Sequence, residues 1–371
     1  MNYPLHPFWQ TLLFPFAVLY GLVVGLRNML YDLDILKGYE FDIPVISVGN
    51  ITVGGTGKTP HVEYLIRLLS PYYRVAVLSR GYKRKTRGFL IAGPESTVDD
   101  LGDEPYQMHK KFPEVKIIVD EKRVRALKKI ENEMKDIEVV IMDDAFQHRS
   151  VKPGLSMLLI DYNLPLSKEL YLPAGRMRES RHEKKRADLV VFTKCPETLK
   201  PIEERIRVKY FNPFPYQRVY FTKIVYGDPL PVFSGNKDRN YGLNRQTAIL
   251  AVAGIANPEP FVRYLKRVTD HVEFLSYPDH YRFGKKDLEK IGRKYEEINA
   301  ERKMILTTEK DAMRLKAFCT FDPPFREIWY YIPIEIAVLQ SSEKQDFENQ
   351  ILKYAGSRKR NHGVHKKQIA R

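Results

Sequence analysis

The sequence is poor in cysteine and comparatively poor in acidic residues. Only Cys195 and Cys319 occur in 371 residues, far apart and without a Cys-x-x-Cys pair. This spacing excludes a disulfide framework, indicates no cysteine zinc site, and fits a reducing cytoplasm. The chain has 61 lysines and arginines but only 46 acidic residues, which gives a net charge of +15. Such a charge favours an anionic partner, either nucleic acid, a phosphorylated substrate or an acidic membrane surface.

The sequence also lacks the usual signatures of nucleic-acid-binding proteins. It contains no zinc-finger, RNP or helix-turn-helix pattern, so charge alone supports nucleic acid as a partner. We therefore expect no nucleic-acid partner. With 43% apolar residues and 371 residues in all, the chain is long and apolar enough for one large or two ordinary folded domains.

Charged residues are missing from Pro7 to Leu26, a stretch of about twenty residues, close to the length that crosses a bilayer. We expect residues 1–35 to form a hydrophobic, membrane-associated helix, which either spans the bilayer or lies in its interface. A buried core helix is the alternative. At the other end, residues 341–371 are predicted to form a helix followed by a basic, disordered tail.

Short apolar runs alternate with stretches of helical periodicity along the chain. This alternation predicts an α/β fold with a mostly parallel sheet, and ligands bind such sheets at the carboxyl ends of the strands. We predict a P-loop nucleotide-binding domain over 36–210. A smaller α/β domain with connector strands is predicted over 211–340. The apolar runs of the first domain are 42–50, 73–81, 115–120, 137–146, 155–161 and 187–194.

A glycine-rich segment, GNITVGGTGKTP (49–60), lies between a strand-like and a helix-like stretch. Its end matches the P-loop pattern G-x-x-x-x-G-K-[ST], although Thr52 stands where the first glycine is usual. In a P-loop, backbone N–H groups surround the phosphates, the lysine reaches the outer phosphates, and the Ser/Thr hydroxyl ligates Mg²⁺. A ligand-free turn is the alternative. The predicted nucleotide-binding residues are Thr52, Val53, Gly54, Gly55, Thr56, Gly57, Lys58 and Thr59.

A second motif supports a nucleotide site. The apolar run VVIM is followed by Asp143 and Asp144, where P-loop enzymes place a carboxylate that holds or orients Mg²⁺. Together with the hydroxyl of Thr59, these aspartates are the predicted metal ligands. The two motifs together predict that the chain binds a nucleoside triphosphate with Mg²⁺.

Seven strings in fixed order identify what kind of nucleotide enzyme this sequence resembles. Together with the apolar N-terminal segment, they resemble the tetraacyldisaccharide 4′-kinases, which phosphorylate the lipid A precursor of Gram-negative bacteria. That family also has threonine in the slot of Thr52. The strings are GNITVGGTGKTP (49–60), LSRGY (78–82), GDEP (102–105), DDAFQHR (143–149), PAGRMRE (173–179), PDHYRF (278–283) and TTEKDAMRL (307–315).

The resemblance implies a lipid kinase that uses ATP and Mg²⁺. It would transfer the γ-phosphate to the 4′-hydroxyl of an acylated glucosamine disaccharide 1-phosphate, acting as a monomer at the cytoplasmic face of the inner membrane. Asp103, paired with His280, would accept the hydroxyl proton, with Lys58 as the third catalytic residue. A turn cap for Asp103 and a structural role for His280 are the alternatives.

The resemblance also implies residues that contact the lipid substrate: Glu104, Gln147, His148, Arg178 and Glu179. An ion pair with a neighbouring carboxylate is the alternative for Arg178. The main rival function is a membrane-associated P-loop NTPase or GTPase switch. The GTPase pattern Asn-Lys-x-Asp is not met, because the corresponding segment begins Thr193, Lys194, Cys195.

Overall fold

The computed structural model describes residues 6–164, 169–233, 242–316 and 323–357. The predicted basic tail beyond residue 357 and Cys319 lie outside the described residues. Within these ranges the strands are β1 (Val45–Gly49), β2 (Val75–Ser79), β3 (Leu90–Ile91), β4 (Lys116–Val119), β5 (Val139–Asp143), β6 (Leu155–Asp161), β7 (Leu189–Thr193), β8 (Arg218–Tyr226), β9 (Leu230–Pro231), β10 (Ala248–Ala253), β11 (Val272–Ser276), β12 (Lys303–Thr308), β13 (Trp329–Ile332) and β14 (Ile334–Val338).

The helices of the described residues lie between and around these strands in the chain. They are α1 (Pro7–Asp32), α2 (Lys58–Leu69), α3 (Val98–Leu101), α4 (Asp103–Lys111), α5 (Arg123–Glu133), α6 (Pro201–Phe211), α7 (Glu259–Val268), α8 (Lys285–Glu297), α9 (Glu309–Leu315), α10 (Pro323–Glu327) and α11 (Ser341–Ser357). A 3-10 helix covers Arg181–Arg186.

The larger sheet has the strand order β14-β8-β7-β6-β1-β5-β2-β4-β3. From β8 to β4 each neighbouring pair is parallel, and β3 is antiparallel to β4. Strands β1, β2, β5, β6 and β7 are buried at every residue, as expected for a parallel sheet covered on both faces. All six apolar runs predicted as strands lie in this sheet, and the predicted α/β class is confirmed.

Helices cover both faces of this sheet. Helix α2 packs in one core cluster with α11, whose Phe347 is fully buried. The centroid of the Phe347 ring lies 4.8 Å from the ring centroid of Tyr220 and 5.9 Å from that of Tyr64. The cluster that includes buried residues of α5 contains residues from β2, β4 and β5. Because Phe347 is buried in the first of these clusters, α11 belongs to the core of the larger sheet.

A second sheet has the order β11-β10-β12-β13-β9. Its pairs are parallel except for β9 with β13. Trp329 of β13 and Phe283 are buried in its core together with residues of α8 and α9.

The chain divides into two compact units, and both are discontinuous in sequence. The larger comprises Met1–Glu95, Met108–Ile224 and Ile336–Arg371, and the smaller Ser96–Gln107 and Val225–Glu335. These limits differ from the predicted boundary after residue 210, because part of the predicted connector strands, the aromatic residues of β8, belongs to the larger sheet. Tyr220 and Phe221 of β8 are buried in two cores of the larger sheet.

Helix α1 is exposed along most of its length. Its most apolar 18-residue window has a mean hydropathy of 1.7, with only 11% of that window buried, and it alone among the described helices is long and apolar enough to cross a membrane. This low burial of α1 disagrees with the alternative of a buried core helix. The large apolar side chains it exposes are Phe8, Trp9, Leu12, Phe14, Phe16, Val18, Leu19, Leu22, Val23, Leu26 and Met29.

Candidate functional site

The glycine-rich loop connects the end of β1 to the start of α2, at the carboxyl edge of the larger sheet. Gly54 and Gly57 have φ angles of 113° and 83°, a region in which glycine alone avoids steric strain. No described atom lies within 4 Å of a β-carbon built at Gly54 or Gly55. The backbone of the loop therefore borders open space next to a helix N-terminus, as phosphate binding requires.

The entrance of the loop is held by a neighbouring segment. The Val53 N–H donates to the carbonyl of Arg176 at 2.7 Å, and Thr52 forms an isolated antiparallel bridge with Met177. Thr52 thus occupies the first position of the loop as part of an extended pairing, which does not require glycine.

Lys58, Asp144 and Arg178 form one charged cluster beside the loop. Lys58 Nζ lies 3.5 Å from Asp144 Oδ1, and Arg178 Nη2 donates to the same oxygen at 2.9 Å. Burial would raise the pKa of Asp144, but the charges of Lys58 and Arg178 outweigh it and hold the pKa well below its ordinary value. Arg178 also donates to the side-chain oxygen of Asn50.

Asp143 and Asp144 follow each other but lie in different surroundings. Asp143 is buried at the end of β5 and accepts a hydrogen bond from Ser79 Oγ at 3.3 Å. Asp144 has a φ of 46°, an uncommon conformation for a residue with a side chain. This turn separates the two carboxylates and lets Asp144 reach Lys58.

The predicted substrate residues after β5 border the same loop. The Gln147 side-chain amide donates to the Asn50 carbonyl at 2.6 Å. Burial, together with nearby Arg123, lowers the pKa of His148 to about 4, so this imidazole is neutral at physiological pH. Both residues are only partly exposed.

Helix α1 contacts this region through polar side chains near its C-terminal end. Asn28 donates to Glu179 Oε2 at 2.7 Å, and Arg27 donates to the Gln147 carbonyl at 2.9 Å. Glu179 is 1% exposed, and its pKa is raised by burial. Its carboxylate is thus directed at α1, in contrast to Arg178, which is directed at Asp144.

The smaller unit holds a second cluster of charged side chains. Asp103 Oδ2 accepts a hydrogen bond from His280 Nδ1 at 2.6 Å and one from Arg314 Nη2 at 2.7 Å. Burial opposes ionisation of Asp103, but these two hydrogen bonds outweigh it and hold its pKa well below the ordinary value. His280 has a φ of 60°, which marks a constrained position.

Helix α9 supplies the partners that the sequence did not single out. Thr308 caps this helix by accepting from the Asp311 N–H, and Lys310 Nζ lies 3.0 Å from Glu104 Oε1. Arg314 also donates to Asp311 Oδ1 at 2.8 Å. Lys310 and Arg314 are four residues apart in the string TTEKDAMRL, so they share one face of a helix. This spacing is the feature of the sequence that could have indicated Lys310 and Arg314 as members of one polar cluster.

The structure therefore gathers the predicted residues into two groups. In the larger unit the loop, Lys58, the two aspartates and Arg178 meet at the carboxyl ends of β1 and β5. In the smaller unit Asp103, Glu104 and His280 meet around α9. Asn50, Lys310 and Arg314 are additional polar residues of these groups.

Comparison with known proteins places this arrangement in a family. A family model described as tetraacyldisaccharide-1-P 4′-kinase, LpxK, matches residues 9–355. Proteins named tetraacyldisaccharide 4′-kinase are 46% identical in Bacteroides thetaiotaomicron, over 94% of this chain and 94% of the relative, and 43% identical in Flavobacterium johnsoniae, over 93% and 97%.

A solved structure has the same fold. It is LpxK from Aquifex aeolicus in complex with ATP, which is 31% identical and superposes with a TM-score of 0.69, over 93% of this chain and 99% of that one. The match extends over nearly the full length of both chains, and the family model covers most of the sequence. The chain therefore belongs to the tetraacyldisaccharide-1-P 4′-kinase family.

Proposed function

We propose that this chain transfers the γ-phosphate of ATP to the 4′-hydroxyl of a tetraacylated glucosamine disaccharide 1-phosphate, a step in lipid A biosynthesis. The observation that carries the proposal is the P-loop with Lys58 and Asp144 beside it, in a chain that matches this kinase family over residues 9–355. The product is a lipid with a second phosphate, and ADP leaves.

The residues around the loop fit a triphosphate with Mg²⁺. Mg²⁺ binds through one or two carboxylates and through phosphate oxygens. The end of β5 offers the Asp143 and Asp144 carboxylates, and the loop offers the Thr59 hydroxyl. When bound, Mg²⁺ neutralises charge on the phosphate oxygens. Lys58 and the loop from Thr52 to Thr59 hold the triphosphate and orient its terminal phosphoryl group.

Asp103 and His280 act on the acceptor hydroxyl. Because His280 Nδ1 faces the Asp103 carboxylate at 2.6 Å, the carboxylate fixes the orientation of the ring. The pair accepts the proton that the sugar hydroxyl loses as it attacks. Arg314 keeps Asp103 ionised and in place, since it donates to the same oxygen.

The remaining predicted residues contact the lipid headgroup in this proposal. Both Nη groups of Arg178 donate to Asp144 in this structure, which is the ion pair given above as its alternative role, and in the proposal its positive charge attracts the lipid phosphate. Gln147, His148 and Glu104 contact the acceptor. Glu179 supports this surface through Asn28 of α1.

The lipid acceptor explains the exposed N-terminal helix. We propose that α1 inserts its exposed apolar side chains into the cytoplasmic face of the inner membrane, as a peripheral or monotopic anchor, while the protein remains a monomer. An acylated substrate stays in the bilayer, so a membrane-bound enzyme meets it there. The net charge of +15 favours an anionic lipid surface.

The test is a detergent-micelle assay with γ-labelled ATP, Mg²⁺ and the tetraacylated disaccharide 1-phosphate. Wild-type protein is expected to move label into the lipid. Lys58→Ala and Asp103→Ala are expected to lose this transfer, while Lys129→Ala, an exposed lysine paired with Glu133 on α5, keeps it. Label released only as free phosphate would refute the proposal and favour an NTPase.

A further inference from the structure

His61 lies in the first turn of α2, directly beneath the phosphate loop. It is 2% exposed and forms hydrogen bonds with both ring nitrogens. Nδ1 lies 2.7 Å from the carbonyl oxygen of Gly57, and Nε2 lies 3.1 Å from Thr222 Oγ1. The Gly57 carbonyl also accepts the backbone N–H of His61 at 3.2 Å, so the ring is its second donor. Thr222 belongs to β8 and is fully buried. The imidazole thus connects the last glycine of the loop to a strand of the sheet.

The hydrogen-bond partners fix the protonation of this ring. The Gly57 carbonyl can only accept, and therefore Nδ1 carries the hydrogen. Nε2 faces the Thr222 hydroxyl, which also lies 3.3 Å from the Phe192 carbonyl oxygen as a donor. The opposite tautomer would place a lone pair 2.7 Å from the carbonyl oxygen.

The Gly57 carbonyl matters because it belongs to the peptide that joins the loop to Lys58. In a trans peptide the C=O and the following N–H point in opposite directions. When the Gly57 carbonyl is held towards His61, the Lys58 N–H is directed away from the helix, to the side where phosphate binds. Gly57 has a φ of 83° and, as a glycine, no side chain that could restrain this peptide.

We propose that His61 is a positioning residue for the triphosphate: its Nδ1–H holds the Gly57 carbonyl, and Thr222 holds the ring, so that the Lys58 amide faces the phosphates. The inference rests on the proposed function only in that ATP is the ligand. The chemistry of the acceptor does not enter it.

Three substitutions separate the two hydrogen bonds. In His61→Asn, the side-chain amide nitrogen takes the place of Nδ1 and can donate to Gly57. In His61→Gln, the amide reaches towards the place of Nε2 and loses the Gly57 contact. Thr222→Val removes the outer hydrogen bond at nearly constant volume. Each variant is titrated with a fluorescent ATP analogue and Mg²⁺, and its thermal unfolding is recorded.

We expect His61→Asn to bind the ATP analogue within about threefold of wild type, and His61→Gln to bind about five- to tenfold more weakly, as for the loss of one buried hydrogen bond. Thr222→Val is expected to lie between them. In kinase assays the KM for ATP should follow the same order, while the KM for the lipid stays constant.

Equal losses in the Asn and Gln variants, in step with their unfolding temperatures, would show a structural role only and overturn the inference. Wild-type affinity of His61→Gln would overturn it as well. Because the titration needs no acceptor, the expected order of affinities would support the inference even if wild-type protein failed to phosphorylate the lipid.

Discussion

Replacing Arg314 with methionine removes the charge that holds Asp103, at nearly constant side-chain length. The two side chains are 7% and 16% exposed, and Nη2 lies 2.7 Å from Oδ2. Removing one partner of a buried ion pair leaves the other charge uncompensated, which typically costs about 3–5 kcal/mol. Arg314 also donates to the Gly254 carbonyl and to Asp311. We therefore expect Arg314→Met to lower the free energy of unfolding by about 3–5 kcal/mol at neutral pH.

The pH dependence of this loss follows from the lowered pKa of Asp103. A carboxyl whose pKa is lower in the folded than in the unfolded protein stabilises the fold above the unfolded pKa, about 3.9 for Asp, and this contribution disappears as the pH falls through the folded pKa. The difference between wild type and Arg314→Met should thus be largest near neutral pH and shrink in acid. The acid limb of the kcat/KM profile should also move to higher pH.

Urea unfolding between pH 3 and pH 7, with kinase assays over the accessible range, measures both effects. The matched control is Arg282→Met, because Arg282 is 71% exposed and pairs with Asp99 on the surface of the same unit. It should change stability by less than about 1 kcal/mol. An Arg314→Met protein with wild-type stability and an unmoved acid limb would refute the role given to Arg314.

Four further substitutions test other parts of the structure. Phe347→Ala empties a fully buried ring site and should lower the free energy of unfolding by about 3–5 kcal/mol in urea titrations; a loss below about 1 kcal/mol would contradict the packing of α11. Lys58→Met should lower kcat by about 10²–10³-fold, as for the loss of one charged donor to the transition state, with an unchanged unfolding temperature. Asp144→Asn should raise the Mg²⁺ concentration needed for half-maximal activity, and an unchanged Mg²⁺ titration would exclude it as a ligand. Asn28→Ala leaves the buried Glu179 carboxylate without the 2.7 Å donor and should cost about 1–3 kcal/mol by thermal unfolding.

The nucleotide site was predictable because its parts are contiguous in sequence. A loop such as 49–60 brings its own strand, glycines and helix start, and local periodicity identifies each of them. The pairing of the loop with the carboxylates after β5 also followed from the general rule that parallel strands end at one edge. The positions of Lys58 and Asp144 agree with that reasoning.

Contacts between distant segments were not predictable from local patterns. Arg314 lies 211 residues from Asp103, and nothing near either residue in sequence indicates that they meet. The aromatic residues of β8 were predicted to belong to connector strands. Their burial depends on packing against β7 and α11, which the local sequence does not show. Glu179 follows Arg178 directly, yet the two side chains point to different partners, and sequence spacing does not reveal which.

The most direct test of the central claim is the structure of the product. Wild-type protein is incubated with ATP, Mg²⁺ and the tetraacylated disaccharide 1-phosphate, and the lipid is examined by mass spectrometry and phosphorus NMR. The account predicts one added phosphate, located as a monoester on the 4′-oxygen of the distal glucosamine. A lipid of unchanged mass, or a phosphate at another position, would contradict it.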